Sequence, residues 1–314
     1  MKKQHNKQER NFRVILMLRW LAPLTIVLFL LSGCVSENSG ISLFNPYTGT
    51  KALDIHFVNN APPQIVYSGT PFRIGFELTN YGALDINNGI ITIGITDYNN
   101  NALKQDTINF NLKGKKSTKT FRGEKDYKIV SAKAPELEGK AESELIVNYI
   151  ACFPYRTFLQ TGICVNPDPY TPTPKNCVPR PLSFSGQGAP VAVTRVEQSV
   201  IPVDDKHSKL MFTIYIENQG DGFVVSRNAY HKVCKNIPLN VEDVDVVSVS
   251  ASLAGEKLTC VPKLVSVENG ASTTCYSDDM LIKPSYKTIL SVTLDYGYFK
   301  SDTKSILLVK TNLP

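Results

Sequence analysis

Seven cysteines are the residues of this 314-residue chain best suited to chemistry, and their positions divide them into two kinds. Cys34 stands alone, directly after Leu31-Ser32-Gly33. The other six are Cys152, Cys164, Cys177, Cys234, Cys260 and Cys275. An even set in an exported chain reads as disulfides before it reads as a metal site, because oxidising compartments pair thiols. None of the six forms Cys-x-x-Cys, which argues against a zinc cluster. Their pairing stays open. In one set, Cys152 meets Cys164 across a hairpin turning at Arg156–Gln160, Cys260 meets Cys275 on neighbouring strands, and Cys177 meets Cys234. The rival set joins Cys164 to Cys177 and Cys152 to Cys234.

Other side chains offer little that is catalytic. His56 lies in a strand pattern, opposite in parity to Ile55 and Phe57, and is expected to face solvent. His207 follows Asp204-Asp205 and His231 lies near Cys234, but neither sits in a metal-ligand spacing. Asp243, Asp245, Asp278 and Asp279 are carboxylates that suit calcium, yet no Asp-x-Asp-x-Asp-Gly run supports them. Ser185-Gly186-Gln187-Gly188 is glycine-rich but precedes a strand, so it reads as a hinge rather than an anion loop. There is no Gly-x-Ser-x-Gly, His-Glu-x-x-His or phosphate-cradling glycine motif. The expectation is therefore no catalytic residue, no cofactor, no metal and no enzyme.

Residues 1–33 form a basic leader with Lys2, Lys3, Lys7, Arg10 and Arg13, then an apolar run from Trp20 to Leu31, then small residues and Cys34. This is the layout of a secretory signal peptide. Leu31-Ser32-Gly33-Cys34 resembles the lipobox of prokaryotic lipoproteins. That resemblance implies cleavage before Cys34 and a lipid on its sulfur, with the protein held at the extracytoplasmic face of the cell membrane. The stretch Val14–Leu31 keeps an alternative open, a single uncleaved N-terminal transmembrane anchor, although Arg19 and Pro23 interrupt it.

Charge excludes one class of partner. Of 34 Lys and Arg and 28 Asp and Glu, six basic and one acidic residue lie in the leader, which leaves 28 against 27, a net of +1. The cluster Lys113–Lys119 reads as a solvated hairpin tip, and nucleic acid drops out as a partner.

Beyond the leader the pattern is strand after strand, with no amphipathic helix. Phe72, Ile74, Phe76 and Leu78 alternate with polar residues over Pro71–Thr79, as a half-buried antiparallel strand requires. Pro167–Pro181 carries Pro167, Pro169, Pro172, Pro174, Pro179 and Pro181 and cannot be a central strand. It reads as a semi-rigid linker. The halves on either side match. Phe72–Gly82 aligns without gaps on Leu210–Gly220, and both segments run into an Asn-x-Gly turn whose glycine suits φ > 0. Phe153 and Tyr155 recur as Tyr296 and Tyr298, each pair followed by an expected short turn. Two such matches argue for tandem copies of one fold.

The fold class expected is all-β: two tandem immunoglobulin-like β-sandwiches after a lipoprotein-type signal peptide. The divisions are a signal peptide at 1–33, a tether at 34–50, sandwich one at 51–166, a proline-rich linker at 167–188 and sandwich two at 189–314. Gly69–Phe72 followed by Leu78-Thr79-Asn80-Tyr81-Gly82 resembles the opening strands of CARDB-type β-sandwich domains, and Val191–Gln198 with Phe212–Gly220 is similar but lacks the Gly-x-x-Phe lead-in. The resemblance implies a non-catalytic module of bacterial or archaeal surface proteins. The leading reading is a lipid-anchored binding or structural module of the envelope, its partner an envelope protein or surface glycan. Tyr81, Tyr98 and Tyr170 are turn or linker aromatics available for contact. Alternatives are an accessory subunit of an exported secretion or pilus-like assembly, and an exported hydrolase with a dispersed site.

Overall fold

Alternating apolar side chains build strands throughout, and the computed structural model describes residues 44–97, 102–168, 176–268 and 270–310. The first half contributes β1 (Leu53–Phe57), β2 (Ile65–Tyr67), β3 (Pro71–Asn80), β4 (Ile86–Asp97), β5 (Ala102–Leu112), β6 (Lys125–Lys133) and β7 (Glu142–Val165). The second contributes β8 (Leu182–Ser183), β9 (Val191–Pro202), β10 (His207–Asn218), β11 (Phe223–Val225), β12 (Val246–Leu253), β13 (Glu256–Val261), β14 (Leu264–Ser266), β15 (Ala271–Tyr276), β16 (Met280–Leu281) and β17 (Tyr286–Val309). The described residues are all-β apart from short helical turns such as Lys115–Thr118 and Tyr230–Cys234.

In the first lobe the sheet β1-β3-β6 faces β5-β4-β7-β17, and Phe76 of β3 meets Tyr149 of β7 with ring centroids 5.3 Å apart. In the second lobe β7-β17-β12 face β15-β10-β9-β8, and β13 joins the two layers by pairing with both β12 and β15. Alternation explains both cores. Ile74, Phe76 and Leu78 of β3, and Leu210, Phe212, Ile214 and Ile216 of β10, are fully buried. Each contributes about 1.5–3 kcal/mol by leaving water.

The lobes are not sequential beads. β7 and β17 are 24 residues each and pair along their whole length, from Val165 opposite Tyr286 to Glu142 opposite Val309. The first part of β7 borders β4 in lobe one, and its last part lies in lobe two, where β17 borders β12. The reverse holds for β17, whose end pairs with β2 of lobe one. Each half thus finishes its sheet with a strand from the other. The turns expected after Tyr155 and Tyr298 do not form: no residue from 156 to 160 has positive φ, and each strand satisfies its backbone groups on its partner. β7 thus carries its last part into lobe two and β17 its end into lobe one, and the chain from Phe44 onward is one compact unit.

This geometry decides the disulfides. Cys152 and Cys164 are twelve residues apart on one extended strand, roughly 40 Å, and cannot meet. The rival pairing forms instead: Cys152–Cys234, Cys164–Cys177 and Cys260–Cys275. Cys260 and Cys275 are directly opposite on β13 and β15. Cys152–Cys234 ties the helix Tyr230–Cys234 of the second half onto β7, and the Thr92 hydroxyl of β4 donates to the Cys234 carbonyl.

The segments expected as tether, semi-rigid linker and hinge are docked. The described part of the tether packs Tyr47 on Phe158, with ring centroids 5.8 Å apart, and the Thr48 carbonyl accepts Lys115 Nζ at 2.9 Å. In the linker, Leu182–Ser183 pairs with β9, and the Asn176 amide donates to the Ser285 carbonyl at 3.0 Å. The Ser185–Gly188 segment is a junction, not a hinge. Gln187 is buried and bonds both backbone groups of Val193, while Gly188 donates to the Gly49 carbonyl and accepts from the Ala83 amide, both at 2.7 Å. Gly188 has φ 67°, and a Cβ there would lie 2.8 Å from that of Ala83.

The internal repeat is physical. Asn80 donates to the Leu84 carbonyl at 2.9 Å and accepts the Gly82 amide at 2.8 Å. Asn218 does the same with the Gly222 carbonyl at 2.9 Å and the Gly220 amide at 3.2 Å. A tyrosine closes each turn: Tyr155 Oη accepts from the Leu84 amide at 3.2 Å and Tyr298 Oη from the Gly222 amide at 2.6 Å. The glycines are needed for space rather than for φ. Neither Gly82 nor Gly220 has positive φ, and a Cβ would lie 1.9 Å from Tyr155 Oη in one case and 2.4 Å from Tyr298 Oη in the other. Burial raises both phenols well above their ordinary pKa, so they remain neutral hydrogen-bonding groups.

Candidate functional site

The waist, where both long strands pass between lobes, gathers the most polar chemistry. Arg156 of β7 and Asp295 of β17 are ladder partners, so their side chains leave the sheet on the same face. The guanidinium holds the carboxylate through two bonds of 2.8 and 3.0 Å. Arg227, from the connection after β11, donates to the same carboxylate at 3.0 Å and to the Tyr155 carbonyl at 3.1 Å. Two guanidiniums on one carboxylate leave a positive charge unbalanced.

This ridge separates two grooves. One, of about 520 Å3, includes Asp85, Asn88, Lys116 and Ser117 in its walls with both arginines. The other, of about 550 Å3, is lined by Ser226, Asp243, Ser248 and Leu264. Glu242 stands exposed in the wall of the second groove, while the aspartates are already engaged. Asp85 accepts the Gly114 amide at 2.7 Å. Asp243 binds Lys232 at 2.8 Å and Ser226 at 2.7 Å, and these bonds, Lys232 first, hold its pKa below the ordinary range. The arginines and Lys116 are donors without an acceptor role, which suits anionic or polyhydroxylated ligands through charge-assisted bonds.

A further cavity of about 690 Å3 lies at the Cys164–Cys177 disulfide, with Ile163, Leu182, Val196 and Phe212 as apolar walls and Arg180 and Lys287 as cations. The described chain stops at Asp168 and resumes at Asn176 beside it.

The residues singled out in the sequence do not converge. His56 is exposed and stands 3.7 Å from Glu77, His207 bonds Asp204 at 2.9 Å, and His231 meets the Tyr230 ring edge-on at 5.7 Å. Asp279 pairs with Lys209 at 3.2 Å. Burial, then the Glu268 charge, raises the Asp245 pKa. Among the described residues no group of three or more His, Cys, Asp or Glu gathers as a metal site. Tyr81 is half-buried, with its amide bound to the Ala52 carbonyl at 2.7 Å. Cys34, Tyr98 and Tyr170 lie outside the described residues, and among those described no helix is long and apolar enough to cross a membrane. Lys113–Lys119 is not a hairpin tip: it begins the crossover from β5 in one sheet to β6 in the other. Arg156, Arg227 and Asp295 escaped the sequence reading, since their meeting depends on the ladder register.

No family model and no curated protein matches this sequence. Among solved structures, the CARDB domain of a Pyrococcus furiosus protein, in complex with di-metal ions, is similar at 16% identity over 32% of this chain and 66% of that one, with a TM-score of 0.20. A structure named pT26-6p is similar at 9% identity over 84% of this chain and 65% of its own, with a TM-score of 0.23. Red sea bream transglutaminase is similar at 10% identity over 85% of this chain and 32% of its own, with a TM-score of 0.22. The chain spans just under two thirds of the length of the first two structures.

Proposed function

We propose that this chain is a lipid-anchored module on the extracytoplasmic face of a cell membrane, which binds an envelope protein or surface glycan and performs no chemistry on it. Three disulfides are the mark of an oxidising, extracytoplasmic compartment. Leu31-Ser32-Gly33-Cys34 supplies the acceptor for the lipid. The observation that carries the binding reading is the waist: two arginines on one aspartate, held by a ladder and bordered by a groove with Lys116. Side chains so placed recognise acidic or hydroxylated surfaces without moving a proton.

Intact mass of the membrane-extracted protein tests the anchor. The expected mass is that of residues 34–314 plus acyl chains, and Cys34→Ala should accumulate as an unlipidated precursor. An intact leader on the membrane protein overturns lipidation. Hydrolase screens on purified protein should stay at buffer level, and turnover that disappears with His56→Ala, His207→Ala or His231→Ala overturns the non-catalytic reading.

A further inference from the structure

We infer that the β5–β6 crossover, residues 113–124, is a membrane-contacting loop that sets its exposed Phe121 and the cations Lys113, Lys119 and Arg122 against anionic lipid headgroups; this rests on the anchoring at Cys34 proposed above. Five basic residues stand in that loop against one acidic residue, Glu124. Lys115 is excluded from the contact, because it is buried and its ammonium is spent on the Thr48 carbonyl. Lys113, Lys119 and Arg122 are exposed and form no ion pair among the described residues, and Glu124 accepts the Lys113 amide.

Phe121 is 78% exposed. The loop holds it outward rather than letting it collapse. Lys119 adopts φ 54° at the end of the helix Lys115–Thr118, and the Thr118 hydroxyl bonds the Arg122 carbonyl at 3.1 Å and the Thr120 hydroxyl at 3.0 Å. An apolar ring among flexible cations is the composition of an interfacial contact, with the ring at the acyl boundary and the ammonium groups at the phosphates.

The chain's own length brings this loop to the bilayer. The Phe121 ring packs edge-on against Phe44, with centroids 5.8 Å apart. Phe44 is only ten residues after Cys34. Fully extended, that stretch spans at most about 33–36 Å. A lipid on Cys34 therefore keeps residue 44, and the loop packed on it, within one short leash of the headgroups. Wherever the leash lets the loop come within about a Debye length of the surface, anionic lipid attracts the cations.

The test uses the purified lipidated chain with Phe121→Trp, reconstituted into phosphatidylglycerol–phosphatidylcholine vesicles or phosphatidylcholine vesicles, each with and without brominated acyl chains. Wild type serves as the blank, since Trp20 is the sole tryptophan and lies in the leader. Emission above that blank should be blue-shifted and lost to bromine in the anionic vesicles. The loss should reverse in high salt and in Lys113→Glu/Lys119→Glu/Arg122→Glu, while the protein still floats with the vesicles. Floating protein whose residue-121 emission is indifferent to bromine overturns the inference alone. Protein that fails to float with either vesicle overturns the anchoring reading and the inference with it.

Discussion

Pro154 and Gly297 face each other at the centre of the β7–β17 ladder, and they are also the same position in the two copies of the internal repeat. A residue that pairs with its own equivalent marks a local two-fold axis. The aromatic pairs on either side obey it: Tyr155 lies opposite Tyr296 and Phe153 opposite Tyr298, with centroids 6.3 and 5.8 Å apart. The repeat is thus built as a symmetric exchange, which is why each Asn-x-Gly turn is closed by a tyrosine from a strand that goes on into the other lobe.

The two turns should respond differently to the same repair. Gly82→Ala and Gly220→Ala should each destabilise by about 1–3 kcal/mol through overpacking. Removing the Tyr155 hydroxyl by Tyr155→Phe, itself costing about 1 kcal/mol, should relieve part of the Gly82→Ala cost, since Oη is the atom 1.9 Å away. Tyr298→Phe should not rescue Gly220→Ala, because Pro190 Cβ remains 2.5 Å from the new methyl. Urea midpoints for the two double-mutant cycles decide this, and equal rescue at both sites would count against the geometry.

Disulfide loss should be graded by loop length. Cys152–Cys234 closes 82 residues, against 13 for Cys164–Cys177 and 15 for Cys260–Cys275. Chain entropy then gives about 4.5 kcal/mol for the first and about 3 for the others. Non-reducing peptide mapping checks the pairs, and denaturant curves of the paired Cys→Ser variants check the order.

Core truncation should weigh on both lobes. Phe76→Ala is expected to cost about 3–5 kcal/mol and Ile214→Ala about 2–5, since each side chain is fully buried. Because the lobes share two strands, either change should move one common unfolding transition. Two separated transitions by calorimetry would contradict the shared ladder.

Asp245 should set a pH dependence. Burial first, and Glu268 second, raise its folded pKa above the unfolded value. A carboxyl shifted in that direction binds its proton more tightly when folded, so its favourable contribution is complete below the unfolded pKa and is lost as pH rises through the folded one. Asp245→Asn keeps a residue that tolerates φ 55° and removes the charge. The variant's stability advantage in urea should widen from about pH 4 towards neutrality. A constant gap would refute it.

Much of the architecture was legible where alternation was clean. Phe72–Leu78 and Leu210–Ile216 announce strands and their inward faces, and the Asn-x-Gly ends expose the repeat. The long strands were harder, because Pro154 and the segment Arg156–Gln160 after it look like a turn when read locally. Their period of two never breaks, though: Tyr155, Leu159, Ile163 and Val165 are buried in sequence along β7. Continuity of that parity was the available signal, and following it would also have forbidden the bridge from Cys152 to Cys164. The waist site had no such signal, since Arg156, Arg227 and Asp295 are far apart in sequence and only the register of one ladder brings them together.

The exchange also gives one chain the form of an interface between two copies. A single copy of this repeat would end in a strand twice as long as its own lobe can use, with the surplus unpaired. Two such chains would satisfy each other about the same two-fold axis, each lending its last strand, as a self-complementary dimer does. The chain reproduces the geometry of such a dimer within one polypeptide, with Pro154 and Gly297 facing each other on the axis.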